Sequence, residues 1–593
     1  MQNNIPRRLD ALRQMMRRER LDAFYLSGTD PHMSEYLSDH WQTRRFISGF
    51  TGSYGEVVIT PDSAGLWTDT RYFIQAEEQL SGTGIRMHKL RVPEAVPVVQ
   101  WLKLNMPPNA RIGLDPYSMP LAAFRSFSEE LSGLQPEFIF LPNLLDEIWE
   151  NRPPLPGNPV FELEETVTGE SRTAKLQRIT SAAEVRGASC TVVTALDDLA
   201  WSFNLRGSDI SYNPVYMGFA LIGINFRKLY LETGAIPEIL RQKLTGEGID
   251  IHPYEAVYQD LENLSGETVW IDPATVNTAI DEALRKNNHI LEGTSVPAQM
   301  KAVKNETELA GFREAMRHDG AAVVRFLHWL KQNVDNRQIS EYTAGRKLAW
   351  FRAQQPGFRG ESFSPIVGYG DHGAIVHLSV DEKTANTVKP EGVLLFDSGG
   401  QYSTGTTDIT RTVAVGPVTP QMRRDFTLVL QGMIRLSMAV FPAGTKGVHL
   451  DILARQALWE NGLNYGHGTG HGVGHFLNVH EGPASIRQEY NPQEILPGMV
   501  FSNEPGLYRQ GEYGIRTENM MVCIEKETTP FGRFLGFETL TLCPVDTSLV
   551  IPEMLLPAEK AWLNNYHQMV RKTLMPLVPE ELRGFMEELT QPV

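Results

Sequence analysis

Apolar residues recur at two periods along the 593-residue chain, and the changes of period divide it. Ile5, Leu9, Leu12 and Met16 fall at helical spacing, which predicts an amphipathic helix rather than a signal peptide. The runs LDAFYLS, GEVVITP and AGLWTDT predict strands, and VPEAVPVVQWLKLN predicts a helix. ENRPPLPGNP sets four prolines among Gly and Asn, so a linker is expected to close a first domain at residues 1–152. A second segment repeats the plan: AAEVRGASCTVVTALDDLAWSFNLRG runs from helix into an apolar stretch, and PVYMGFALIG and KLYLET supply strands. Two related α/β domains are therefore expected, the second over 153–300.

The third segment opens on a helix, NETELAGFREAMRHDGAAVVRFLHWLKQ, with Asn305 and Glu308 spaced as a capping box. GVLLFDSGGQYSTGTTDITRTVAVG reads as strand, Gly-rich turn, strand. A helix follows with Pro420 behind Thr419. LDILARQALWENGL predicts another, ending at Gly462. MVFSNEPGLYRQGEYGIRTENMMVCIE predicts a second hairpin. This third domain is placed at 301–535. Residues 536–593 read as a C-terminal extension ending in the helix PAEKAWLNNYHQMVRKTL.

Composition narrows the classes. Hydrophobic content of 41% and charged content of 21% are ordinary for a globular protein. A net charge of −16 disfavours a nucleic-acid partner. Cys190, Cys523 and Cys543 form no CxxC and no disulfide framework, which suits a reducing compartment. No run approaches the roughly 20 apolar residues of a membrane span, so a cytoplasmic protein with no membrane partner is expected.

The chemistry concentrates in YGHGTGHGVGHFLNVHEGP, which holds His467, His471, His475 and His480 out of 15 histidines. Histidine titrates near neutrality and is the commonest metal ligand. The interleaved glycines are expected to give a ligand room to approach. Carboxylates complete the set. Asp397 ends the run VLLF and Asp408 precedes ITRTVAV, so a hairpin is expected to bring them face to face. Glu504 ends MVFSN and Glu518 lies in IRTENMMV, on the second hairpin. Buried carboxylates repel one another unless a cation or proton compensates. Carboxylates with an imidazole and no thiol suit Mn²⁺, Fe²⁺, Co²⁺ or Zn²⁺. Four can hold two ions about 3.5 Å apart by bridging.

The set FDSG…TTDITRT, HGTGHGVG…NVHEGP, SNEPG and GIRTEN resembles the metal-dependent peptidases of the pita-bread fold. Within them it most resembles the three-domain cytosolic Xaa-Pro aminopeptidases (aminopeptidase P), over nearly the whole chain. RRFISGFTGSYG and WTDTRYFIQA are also typical of that branch. The resemblance implies an α/β (α+β) chain of two creatinase-like domains followed by a pita-bread catalytic domain. It implies release of the first residue from peptides with proline second, by a hydroxide between two divalent metals. Mn²⁺ is the expected ion, with Zn²⁺ or Co²⁺ as alternatives. Asp397 would bind one metal only, Asp408 and Glu518 would bridge, and His471 and Glu504 would complete the second. Glu504 would also shuttle the proton. His377 and His480 would flank the scissile carbonyl, and His467 would help form the proline-side pocket. Arg516 would orient Glu518, and Arg71 would contact substrate across a homodimer. His475 receives no role beyond structure. GAIVHLSV and TDTRY depart from the commoner GAIIHY.P and TDGRY, altering the neighbours of His377 and Arg71. Two other readings are a prolidase acting on Xaa-Pro dipeptides and a catalytically dead peptide-binding module.

Overall fold

The computed structural model describes residues 4–336 and 338–593. The chain forms two compact units, 1–163 with 170–211 and 215–297, and 164–169 with 212–214 and 298–593.

The first unit contains two six-stranded sheets built to one plan. The first runs, edge to edge, through Arg86–Lys89, Ala64–Thr68, Glu56–Ile59, Ala23–Leu26, Arg111–Leu114 and Glu137–Phe140. The second runs through Asp250–Pro253, Arg227–Leu231, Gly218–Gly223, Cys190–Val193, Thr268–Ile271 and His289–Glu292. In each the pairings are parallel, antiparallel, antiparallel, parallel, parallel. The repeat expected from a faint sequence echo is thus a repeat of topology. Strand alternation fills both faces of the first sheet. Phe24 and Leu26 pack with Ile5, Leu9, Leu12 and Met16 of the helix Ile5–Glu19. Ala23 and Tyr25 face the opposite core with Leu102 and Phe127. The helix expected over 92–105 begins only at Val98, because Pro93 and Pro97 withhold amide donors and bias their predecessors away from helix.

The second unit opens on the helix Glu306–Asn333, whose Asn305–Glu308 capping box forms as expected. Thr419 caps the helix Pro420–Ser437. The helix Gly447–Trp459 stops short of Gly462, which lies in the following turn. Two strand pairs carry the acids, and each is interrupted by a smaller hairpin. Val393–Ser398 pairs antiparallel with Ile409–Ala414, around Gly400–Tyr402 and Gly405–Thr406. Val500–Asn503 pairs with Asn519–Thr529, around Gly506–Arg509 and Tyr513–Arg516. The inserted hairpin corrects one expectation. Asp397 stands opposite Thr410, and Asp408 lies just before its strand, so the two acids are not cross-strand partners.

Residues 536–593 lie in the same compact unit as the third domain. Gly532–Thr539 is a strand of the six-stranded sheet, paired with Asn519–Thr529. Leu549, Leu563, Val570 and Leu574 share one core with Phe426, Val429 and Met433. The buried Arg411 guanidinium donates to the carbonyls of Cys543 (2.8 Å) and Pro544 (3.0 Å) and to that of Glu518 (2.5 Å). The C-terminal segment therefore braces a strand end that carries a candidate ligand.

Candidate active site

The two interrupted strand pairs place their acids at corresponding points. Asp397 ends one strand pair, Glu504 and Glu518 flank the other, and Glu518 N donates to Thr410 O across them (3.1 Å). Ligand atoms of Asp408, His471 and Glu518 lie within 4.8 Å of one another. His471 Nε2 is 3.4 Å from Asp408 Oδ2 and 3.4 Å from Glu504 Oε1. Its Nδ1 lies 2.8 Å from the carbonyl of Gly472. A carbonyl only accepts, so Nδ1 carries a hydrogen and Nε2 is the ring atom turned toward the acids.

Asp397 is buried. Its Oδ2 accepts from Arg516 Nη2 at 2.6 Å, and its Oδ1 has no hydrogen-bond partner among the described residues. Arg516 therefore orients Asp397 directly. It reaches Glu518 through Thr410, whose hydroxyl lies 3.1 Å from Arg516 Nε and donates to Glu518 Oε2 at 2.8 Å. The sequence-based expectation paired Arg516 with Glu518 alone. Arg516 Nη1 also donates to Tyr508 Oη (2.7 Å), and Tyr508 Oη lies 2.7 Å from His467 Nε2. His467 Nδ1 faces the Gly468 carbonyl at 2.7 Å, so Nε2 is the acceptor and Tyr508 the donor. Burial pushes the Tyr508 hydroxyl up to about 12 and keeps it protonated. Thr410 and Tyr508 were not predicted as site residues. Gly506 pairs with Arg516 and Tyr508 with Gly514, so Tyr508 and Arg516 are diagonal neighbours on one face of the hairpin.

Burial pushes Asp397 up to about 6, with Arg516 pulling it down and Asp408 pushing it up. Burial pushes Glu504 up to about 7, opposed by His471. Glu518 is pushed well above the carboxylate range by burial and by Asp408, Glu504 and Asp397. Crowded acids and an unpaired carboxylate oxygen are each unfavourable without a cation. Both are relieved by divalent metal, so the donor set fits it.

The His480 ring is exposed and stands nearly perpendicular to that of His471, centroids 4.4 Å apart. His377 is half-buried in the segment after the turn Gly370–Ala374. His475 is buried edge-on against Phe312, centroids 5.6 Å apart. In the first unit, Arg71 makes a bidentate pair with the buried carboxylate of Asp69. Gly470 and Gly472 of the histidine loop serve close strand packing, while Gly466 and Gly482 have open space beside them. A Cβ on Gly470 would lie 2.1 Å from Ser502 O, and one on Gly472 would lie 2.3 Å from Glu481 O.

Residues 310–525 match the model of metallopeptidase family M24, and 533–593 match the C-terminal region of peptidase M24. Residues 8–148 and 151–308 each match a creatinase/prolidase N-terminal domain. The chain is 40% identical to a probable Xaa-Pro aminopeptidase P of Laccaria bicolor, covering 98% of this chain and 92% of that protein. It is 36% identical to aminopeptidase P2 of Arabidopsis thaliana, covering 94% and 84%. Among solved structures it is similar to the X-prolyl aminopeptidase of Caenorhabditis elegans, described as a cytosolic enzyme with a di-nuclear active site. That likeness has a TM-score of 0.95 at 34% identity, over 99% of both chains.

Proposed function

The chain belongs to metallopeptidase family M24, in its Xaa-Pro aminopeptidase P branch, and from that premise we propose that it releases the N-terminal residue from peptides with proline second. The observation that carries the reading is the donor set of buried Asp397, Asp408 and Glu518 with half-buried His471 and Glu504, the Asp397 Oδ1 orphan among them. A di-nuclear site is the one its C. elegans relative is described as having. Asp397, Asp408, His471, Glu504 and Glu518 would hold the pair, and the oxygen-rich set favours Mn²⁺ over softer ions. When bound, the metals supply Lewis acidity, polarising the scissile carbonyl and lowering the pKa of water.

The chain's own residues do the rest. Glu504 takes a proton at its carboxylate from the attacking water and delivers it to the proline nitrogen as that nitrogen leaves. His377 and His480 donate to the carbonyl oxygen as charge develops on it. His467, its Nε2 held by Tyr508, forms a wall of the proline-side pocket. Arg516 fixes Asp397, and through Thr410 fixes Glu518. The proline nitrogen carries no hydrogen, so this site holds the substrate by its ring and carbonyl instead. The reading keeps the homodimer implied by the resemblance, and sedimentation velocity tests it as a species of twice the chain mass.

His480→Ala is expected to lower kcat by about 10²–10³ while metal content stays at the wild-type level. Loss of the metals along with the ring would remove His480 from the carbonyl role. Substrate length tests the function itself. A dipeptide places its carboxylate just past the proline, near the acidic cluster, where like charge disfavours it. Product analysis on a series from Xaa-Pro upward is expected to show one residue released from tripeptides and longer chains, with the dipeptide cleaved poorly. A preference for the dipeptide over every longer member would turn the reading to prolidase.

A further inference from the structure

The loop that carries His377 leaves the strand Ile366–Tyr369 and returns at Asn386. Both of its ends meet the same buried carboxylate. Glu341, 1% exposed, is the first residue of the helix Glu341–Arg352. Its Oε1 accepts from Tyr369 N at 2.8 Å, at the start of the loop. Its Oε2 accepts from Asn386 N at 2.7 Å, at the end. Oε2 also lies 2.8 Å from Nδ1 of His372, within the loop. Backbone pairing seats the returning end, with Glu341 N on Asn386 O (3.0 Å) and Val388 N on Ile339 O (2.8 Å).

An acid in the first turn of a helix ordinarily serves the helix dipole from the surface. Glu341 does more, because its oxygens are spent on two segments remote from it in sequence. Burial raises its carboxyl, and the two amides and the His372 ring pull it back. Charge-assisted bonds of this kind are the strong ones. Closing a loop of this length costs entropy, and fastening both ends to one acceptor fixes the span between them. The same loop has a second footing. A Cβ on Gly514 would lie 1.7 Å from Gly373 O, so the turn Gly370–Ala374 lies backbone to backbone on the strand Tyr513–Arg516. That strand ends at Arg516, which holds Asp397.

We propose that Glu341 is a positioning residue for the peptidase reaction, fastening both ends of the 370–385 loop so that His377 is held where the carbonyl oxygen develops charge. The proposal rests on the role given to His377 in the aminopeptidase reading. Its anchoring half is independent of substrate.

Glu341→Gln keeps the size of the side chain but replaces one acceptor oxygen with a donor, which cannot serve a backbone amide. Hydrogen–deuterium exchange, read on peptides covering 366–390, is expected to speed up at both loop ends. Turnover of an Xaa-Pro-Yaa peptide is expected to lose roughly 10–100-fold in kcat, the range for partners that orient a functional group. KM and metal content are expected to hold, because the contact to be lost is made in the transition state. His372→Ala removes only the ring from the same carboxylate, on a residue less committed to the core. It is expected to speed loop exchange and lower kcat by a smaller factor in the same direction. If Glu341→Gln does not fold, the His372→Ala result decides the matter alone. Unchanged exchange in the variants overturns the anchoring. Faster exchange with unchanged kcat overturns the positioning role, and so does a parallel fall in kcat, substrate affinity and metal content. The exchange readout needs no turnover, so its outcome is separate from that of the aminopeptidase reading.

Discussion

Glu518→Gln is expected to lower kcat/KM on Xaa-Pro-Yaa peptides by at least about 10³-fold, near 4 kcal/mol in transition-state stabilisation. Metal content is expected to fall with it. The substitution keeps volume and leaves an oxygen to accept from Thr410, so packing is preserved. What changes is charge. Glu518 sits with Asp408 and His471 inside a 4.8 Å group, and its carboxyl is raised by burial and by three acids. A neutral amide relieves that repulsion in the metal-free protein and removes one anionic ligand from the metal-bound one. Stability and activity are therefore expected to move in opposite directions: the metal-free variant should melt above metal-free wild type. Chelation of the wild type, followed by titration with Mn²⁺, Zn²⁺ and Co²⁺, gives the matching control. Full activity of Glu518→Gln, or of rigorously metal-free wild type, would refute the metal assignment.

The acids were legible in the sequence because an ionised carboxylate is costly to bury. Asp397 directly after VLLF stands out against the run before it, and Glu504 after MVFSN does so in the same way. The register between Asp397 and Asp408 was not legible, since GGQYSTGT reads as a turn and folds as a hairpin of its own. Thr410 and Tyr508 escaped notice for a different reason. A threonine or tyrosine in a strand is common, and only the Arg516 fork reveals why these two are needed. The C-terminal helix was visible in its periodicity, but not the core it enters, because its partners Phe426 and Val429 lie more than a hundred positions away. Nothing in the sequence sets Glu341 apart from the other acids. Its task is set by two amides that only the fold brings together.

Those buried acids also fix how stability responds to pH. In the metal-free protein Asp397 is raised from 3.8 to about 6 and Glu504 from 4.5 to about 7, and Glu518 is raised well above the usual carboxylate range. A raised carboxyl binds its proton more tightly in the native state than in the unfolded chain. Between about pH 4 and pH 7 the native state therefore holds more protons, and stability falls as pH rises. Asp397 and Glu504 titrate as members of one coupled cluster, and together they remove on the order of a few kcal/mol once both states are ionised. Divalent metal reverses the sign, because it binds the deprotonated carboxylates and displaces their protons. The gap in Tm between metal-loaded and metal-free protein is thus expected to widen from pH 5 to pH 8, on the order of 10 °C in all. Calorimetry across that range measures the gap, and potentiometry at pH 6 should record protons released as metal is added. A gap that stays constant with pH, or metal uptake without proton release, would show that the acids are ionised before the metal arrives.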